Sequence, residues 1–153
     1  MSGSGRGLAT EFEDEQDSPG LLLWQVTNRW QAAQRAALKP FGITHVQFVL
    51  LASLAWLDAE GPVTQKQLAD QAAADPMMTS QVLRALERLG LVQRLPHPDD
   101  GRAKALAVTE AGRDLANRSV VAVEACDRAF FAALGDDVVR FTSLLRRLAG
   151  AAR

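Results

Sequence analysis

The chain has 153 residues with 17 basic and 18 acidic side chains, a net charge of −1. That length fits one domain with helical extensions and is ample for a core. The near-neutral balance excludes a nonspecific nucleic-acid coat, and a single cysteine, Cys126, excludes an intrachain disulfide and fits a reducing compartment.

The charge is unevenly placed. Residues 1–20 hold Arg6 against Glu11, Glu13, Asp14, Glu15 and Asp17, a local charge of −4, which leaves +3 on the other 133 residues. Residues 1–18 are rich in Gly, Ser and acids and are expected to be a disordered tail. They lack the apolar core of a signal peptide, and no apolar run is long enough for a membrane helix, so a cytoplasmic protein with no membrane partner is expected.

Ser18 and Pro19 open the first helix as cap and first-turn residue. Leu22, Leu23, Val26, Trp30, Ala33 and Ala37 form its apolar stripe, with Trp24 off the line, and it ends near Lys39-Pro40. Thr44 with Gln47 makes a capping box for a second helix, whose Phe48, Leu50, Leu51, Leu54, Ala55 and Leu57 mark it as the central core helix. Gly61-Pro62 closes the joint after it, and Val63 seeds a short strand.

Thr64 and Gln67 form another capping box, and Leu68, Ala69 and Ala72 give that helix a small apolar face. Asp75 then caps a helix from about Pro76 to Leu89, with Gly90 as its stop. Met78, Val82, Leu83, Leu86 and Leu89 are its expected buried face. Outside that stripe lie Met77, Thr79, Ser80, Gln81 and Arg84, able to hydrogen-bond or to touch a thymine methyl, and the free amides near Pro76 suit a phosphate. Arg88, one turn on from Arg84, is expected to meet the DNA backbone or solvent.

Leu91–Leu95 reads as an edge strand, 97–101 as a turn-rich tip, and Ala105–Val108 as the return strand. Arg102 and Lys104 make the tip basic, so it can reach a minor groove or its phosphates. Asp100 is expected to pair with Arg102 and hold its guanidinium. Thr109 caps a long helix, about Glu110 to Leu134, broken at Gly135-Asp136-Asp137, and a last helix runs Asp137–Leu148. The stripes of these two helices exceed what a small domain can cover. Together with the first helix they read as a dimer interface.

The order of elements is that of a winged helix-turn-helix, mainly α with a small β-hairpin wing and long N- and C-terminal dimerisation helices. The expected division is a tail at 1–18, a dimerisation helix at 19–39, the DNA-binding domain at 40–108 and C-terminal dimerisation helices at 109–153. A protein-interaction winged helix without DNA contact is the alternative.

The segments ITHVQFVLLASL, VTQKQLADQ, DPMMTSQVLRALERLGLVQR and HPDDGRAKALAVTEAG resemble the MarR family of winged helix-turn-helix transcriptional regulators. The last is the most specific: Asp100, a variable residue, Arg102, then a strand ending in Thr109-x-x-Gly112. The resemblance spans about residues 21–150. It implies a homodimer on a pseudo-palindromic operator, usually a repressor, with Pro76–Leu89 in the major groove and Arg102 in the minor groove. It also implies release by a small aromatic compound or by cysteine oxidation. Gly101 departs from the family, many of whose members carry a larger, often basic residue there.

Trp24, Trp30, His45, Phe48 and Trp56 are candidates to border an effector pocket, since an aromatic cleft suits a flat apolar ligand; plain core packing is the competing reading for each. His45 and His97 stand far apart with no ligand spacing around them, so neither a metal nor a cofactor is expected. Cys126 has Arg128 nearby but also Glu124 and Asp127, which favours an ordinary half-buried thiol, with oxidation control as the alternative. No phosphate loop, nucleophile elbow or zinc-protease motif is present, and Asp99-Asp100 sits on an exposed turn, so the chain is not expected to be an enzyme.

Overall fold

The three leucines Leu50, Leu51 and Leu54 are fully buried, and the architecture of the computed structural model, which describes residues 7–151, is arranged around the helix that carries them. The helices are α1 (Pro19–Leu38), α2 (His45–Asp58), α3 (Gln65–Ala72), α4 (Pro76–Arg88), α5 (Glu110–Phe131) and α6 (Val138–Ala151). A two-stranded antiparallel ribbon, β1 (Val92–Pro96) and β2 (Lys104–Val108), stands between α4 and α5. Its register runs from Val92 opposite Val108 to Pro96 opposite Lys104.

The local signals act as their chemistry requires. Ser18, Thr44, Thr64, Asp75 and Thr109 each accept a backbone amide in the first turn of the helix that follows. Thr44 with Gln47, and Thr64 with Gln67, form complete reciprocal capping boxes. Val63 bridges to Leu106, accepting its amide at 2.7 Å, so β2 is held on both edges. Leu38, Leu68, Leu83, Leu86 and Leu106 close around α2 into one core. No single helix among the described residues is long and apolar enough to cross a membrane.

Three expectations need correction. The first six residues of the anticipated tail lie outside the described residues. The rest of that stretch is largely exposed, but it carries a 3₁₀ turn over Glu15–Asp17, where Asp14 accepts the amide of Gln16. In α4 the buried face is Thr79, Leu83 and Leu86, with Val82 half-buried. Met78 and Leu89 are 37% and 55% exposed, because α4 ends at Arg88 and the buried line runs 79–83–86. Lastly, α5 stops at Phe131, three residues early, and a 3₁₀ segment over Ala132–Asp137 turns the chain at Gly135 (φ 53°, ψ −127°) into α6.

On one chain the apolar residues Leu22, Leu23, Trp24 and Val26 of α1 and Val139, Leu144, Leu145 and Leu148 of α6 stay exposed. These long terminal helices are consistent with dimerisation helices.

The reciprocal caps predict a modest, separable stability loss. Thr44→Ala and Thr64→Ala should each cost about 1 kcal/mol, read as a shifted urea midpoint with unchanged slope. A midpoint unchanged in both variants would contradict the capping account.

Candidate nucleic-acid interface

Asp75 turns the chain into α4, its carboxylate accepting the amide of Met78 at 2.9 Å. With Leu83 and Leu86 buried inward, the opposite side of the helix presents Met77, Gln81, Arg84 and Arg88, all exposed. Their spacing of four, three and four places them in one line. Met77 is 72% exposed, and Ser80, half-buried beside this line, accepts from the Arg84 guanidinium at 3.1 Å. Pro76 stands exposed at the start of the helix.

Thr79 does not belong to that face. It is fully buried, and its hydroxyl donates to the Asp75 carbonyl at 2.8 Å. A threonine that bonds back one turn satisfies its own polar group, so it can face the core. It is removed from the set of candidate base-contacting residues.

The tip of the wing is built by Asp100, by a route other than the expected ion pair. Asp100 accepts the backbone amide of Arg102 at 3.0 Å, and its carbonyl accepts from Ala103 at 3.1 Å. His97 closes the same turn by accepting the Asp99 amide at 3.1 Å. Asp100 therefore shapes the backbone, and no ion pair to the Arg102 guanidinium forms among the described residues. Arg102 and Lys104 project from a braced tip.

One tie was not anticipated. Arg94 on β1 donates to Glu87 near the end of α4 and to Gln65 at the start of α3, the latter at 3.1 Å. It cross-links both helices of the helix-turn-helix to the wing. Its only signal in the sequence is an arginine in an alternating edge strand.

Of the five aromatic candidates for an effector pocket, the structure brings two into contact and buries a third in the core. Trp30 and His45 meet edge to face with centroids 5.0 Å apart, and Phe48 is buried in the core. Trp24 and Trp56 are 69% and 78% exposed, so on the single chain they line no closed site. Two residues outside that candidate set complete the cluster. Asp127 of α5 accepts from the Trp30 indole at 2.8 Å and from the Gln34 amide at 2.6 Å. Gln34 is fully buried, and its carbonyl oxygen has no partner among the described residues. A glutamine one turn past Trp30 on an apolar stripe was the available signal.

Burial of the His45 ring lowers its pKa below 6.5, the nearby Arg35 lowers it further, and Asp127 partly offsets both. Cys126 is half-buried, and burial followed by the neighbouring Asp127 charge raises its thiol pKa. An open groove of about 980 Å³ lies elsewhere, lined by Leu57, Gly61, Val63, Ala69, Ala73 and Ala149. The aromatic cluster is a packed joint in this structure. Among the described residues no group of three or more His, Cys, Asp or Glu side chains is placed to hold a metal.

A sequence model of the MarR family matches residues 43–104, the stretch from the start of the core helix to the wing. The HTH-type transcriptional regulator YdcH of Bacillus subtilis is 44% identical over 125 residues, covering 81% of this chain and 85% of its own. The chain belongs to the MarR family.

Solved structures agree over nearly the whole length. CouR from Rhodococcus jostii RHA1 bound to p-coumaroyl-CoA matches with a TM-score of 0.80 and 31% identity, over 90% of this chain and 96% of that one. The transcriptional repressor CouR bound to a 23-mer DNA duplex matches with a TM-score of 0.76 and 27% identity, over 90% and 94%. This MarR-family chain is thus a winged helix-turn-helix, DNA-binding transcriptional regulator and not an enzyme. The interaction-module alternative loses its ground.

The shifted histidine makes a signed prediction. A depressed folded-state pKa means that the unfolded chain takes up this proton first as pH falls. The stability tied to neutral His45 is present above the unfolded value of about 6.5 and lost as pH falls from there through the lowered folded value. Between about pH 7.5 and 5 the wild-type protein should therefore lose more stability than His45→Gln in parallel denaturation series. Equal losses would remove the histidine from the account.

Proposed function

We propose that this MarR-family regulator is a cytoplasmic homodimeric repressor of a pseudo-palindromic operator. In this reading α4 enters the major groove with Met77, Gln81 and Arg84 toward base edges and Ser80 beside them, while Pro76 and Arg88 meet the backbone. Arg102 reaches the adjacent minor groove, with Lys104 on its phosphates and Asp100 holding the tip in shape.

The observation that carries this reading is the single exposed line Met77–Gln81–Arg84–Arg88 beside a braced basic wing. The similarity to CouR bound to a DNA duplex supports it. The exposed apolar faces of α1 and α6 support a homodimer, since such a surface is what an obligate interface buries. An overall charge of −1 gives little long-range attraction, so affinity rests on base contacts and on the doubling of contacts in a dimer.

We further propose that a small aromatic effector releases the DNA by entering the joint of α1, α2 and α5 around Trp30, His45 and Phe48. The similarity to CouR bound to p-coumaroyl-CoA, a ligand with an aromatic group, supports this reading. The Gln34 carbonyl, without a partner among the described residues, is the polar group such a ligand would engage, and its full burial means that a ligand reaching it must part α1 from α5. Regulation follows if the ligand prefers one spacing of the two recognition helices. Control by Cys126 oxidation is the weaker route, because a raised thiol pKa leaves little thiolate to react.

Arg84→Ala and Arg102→Ala should each leave a folded dimer and weaken operator binding by about 1–3 kcal/mol. Fluorescence anisotropy at fixed salt, with sedimentation for dimer content, reads both quantities. Unchanged affinity in both variants would refute the assigned contacts.

A further inference from the structure

The end of α4 and the start of α5 meet in a knot of short contacts centred on Thr109. Gly90, at φ +74°, ends α4 in a motif where Leu91 donates to the Leu86 carbonyl and Gly90 to that of Glu87, both at 3.0 Å. That turn leaves the carbonyls of Gly90 and Leu91 outside the helix, and Thr109 takes both. Its hydroxyl donates to Gly90 at 2.6 Å and its backbone amide to Leu91 at 3.1 Å. The same hydroxyl oxygen accepts the amide of Gly112 at 3.0 Å, capping α5.

The contact between the two segments has no slack. At Gly112 an added Cβ would stand 2.0 Å from the Leu91 carbonyl oxygen, so α5 lies directly on the turn. On its other side the start of α5 is tied to α2. Asp58 accepts the amide of Val108 at 2.9 Å and the guanidinium of Arg113 at 3.2 Å. Below this knot α5 runs toward Asp127 and the α1 joint, a length of about 27 Å at 1.5 Å per residue. Over that length a play of about 7° moves the far end by roughly 3 Å, one base-pair step.

We propose that Thr109 is a positioning residue for operator recognition. Its hydroxyl straps the recognition helix to the dimerisation helix, so that dimer geometry fixes the distance between the two recognition helices. This rests on the dimeric DNA-binding reading above. Its content is separate: without the strap, each recognition helix still reads its half-site, but the pair no longer measures the spacing.

Two variants isolate the strap from the cap. Thr109→Asp keeps an acceptor for the Gly112 amide but has no proton to give Gly90, and Thr109→Ser keeps both bonds. The probe is a duplex selected from random DNA by the wild-type protein, remade with one or two base pairs inserted or removed between its half-sites. Wild type and Thr109→Ser should lose about tenfold or more in affinity per step away from the optimum, and Thr109→Asp about threefold or less, with equal folded dimer content. A Thr109→Asp profile parallel to wild type would overturn the proposal. So would a uniform loss at every spacing that tracks the folded dimer fraction. If wild type itself shows no preferred spacing, the dimeric reading fails first and the strap falls with it.

Discussion

The burial of one face of α2, which carries Phe48, Leu50, Leu51 and Leu54, is the constraint on which the rest of the structure depends. Leu50, Leu51 and Leu54 admit no solvent, and they are covered by α3, α4, α5 and β2. Burying a leucine side chain stabilises a fold by about 1.5–3 kcal/mol, so these positions strongly favour a single arrangement of the covering elements. Once α4 must lay Leu83 and Leu86 on α2, its opposite line is committed to the outside. The outward presentation of Met77, Gln81, Arg84 and Arg88 is thus a consequence of the core.

Apolar burial alone leaves angles loose, and polar ties set them. Arg94 joins α3 and α4 to the wing, Asp58 joins α2 to the wing strand and to α5, and Asp127 joins α5 to α1. Each tie crosses between elements that hydrophobic contact has already brought close. Partly exposed pairs of this kind add little net stability, so their value is directional. Asp127 differs, because it works against fully buried Gln34. Disturbing it leaves polar groups unsatisfied in a low-dielectric joint, which is costly.

Most of the fold was legible in the sequence because helix boundaries are written in local chemistry. Ser18, Thr44, Thr64, Asp75 and Thr109 each cap the helix they were expected to cap, and Gly90 ends α4. The phase of a helix was harder to read. A threonine reads as a surface residue in sequence, and only the hydroxyl bond one turn back to Asp75 lets Thr79 face the core. Contacts across the fold left no local mark. Asp127 reaches Trp30 across 97 positions, and Asp58 reaches Arg113 across 55, so neither partnership has a spacing to recognise. The role of Asp100 was half legible: the turn was expected, but the acceptor serves the Arg102 amide and not its guanidinium.

A hydroxyl-radical footprint of the wild-type protein on its selected duplex tests the central claim most directly. Two copies of α4 held by a two-fold dimer should protect two symmetric half-sites about one helical turn apart, roughly 34 Å centre to centre, with a minor-groove patch beside each for the wing. A single asymmetric half-site, or protection no different from that on an unrelated duplex, would contradict it.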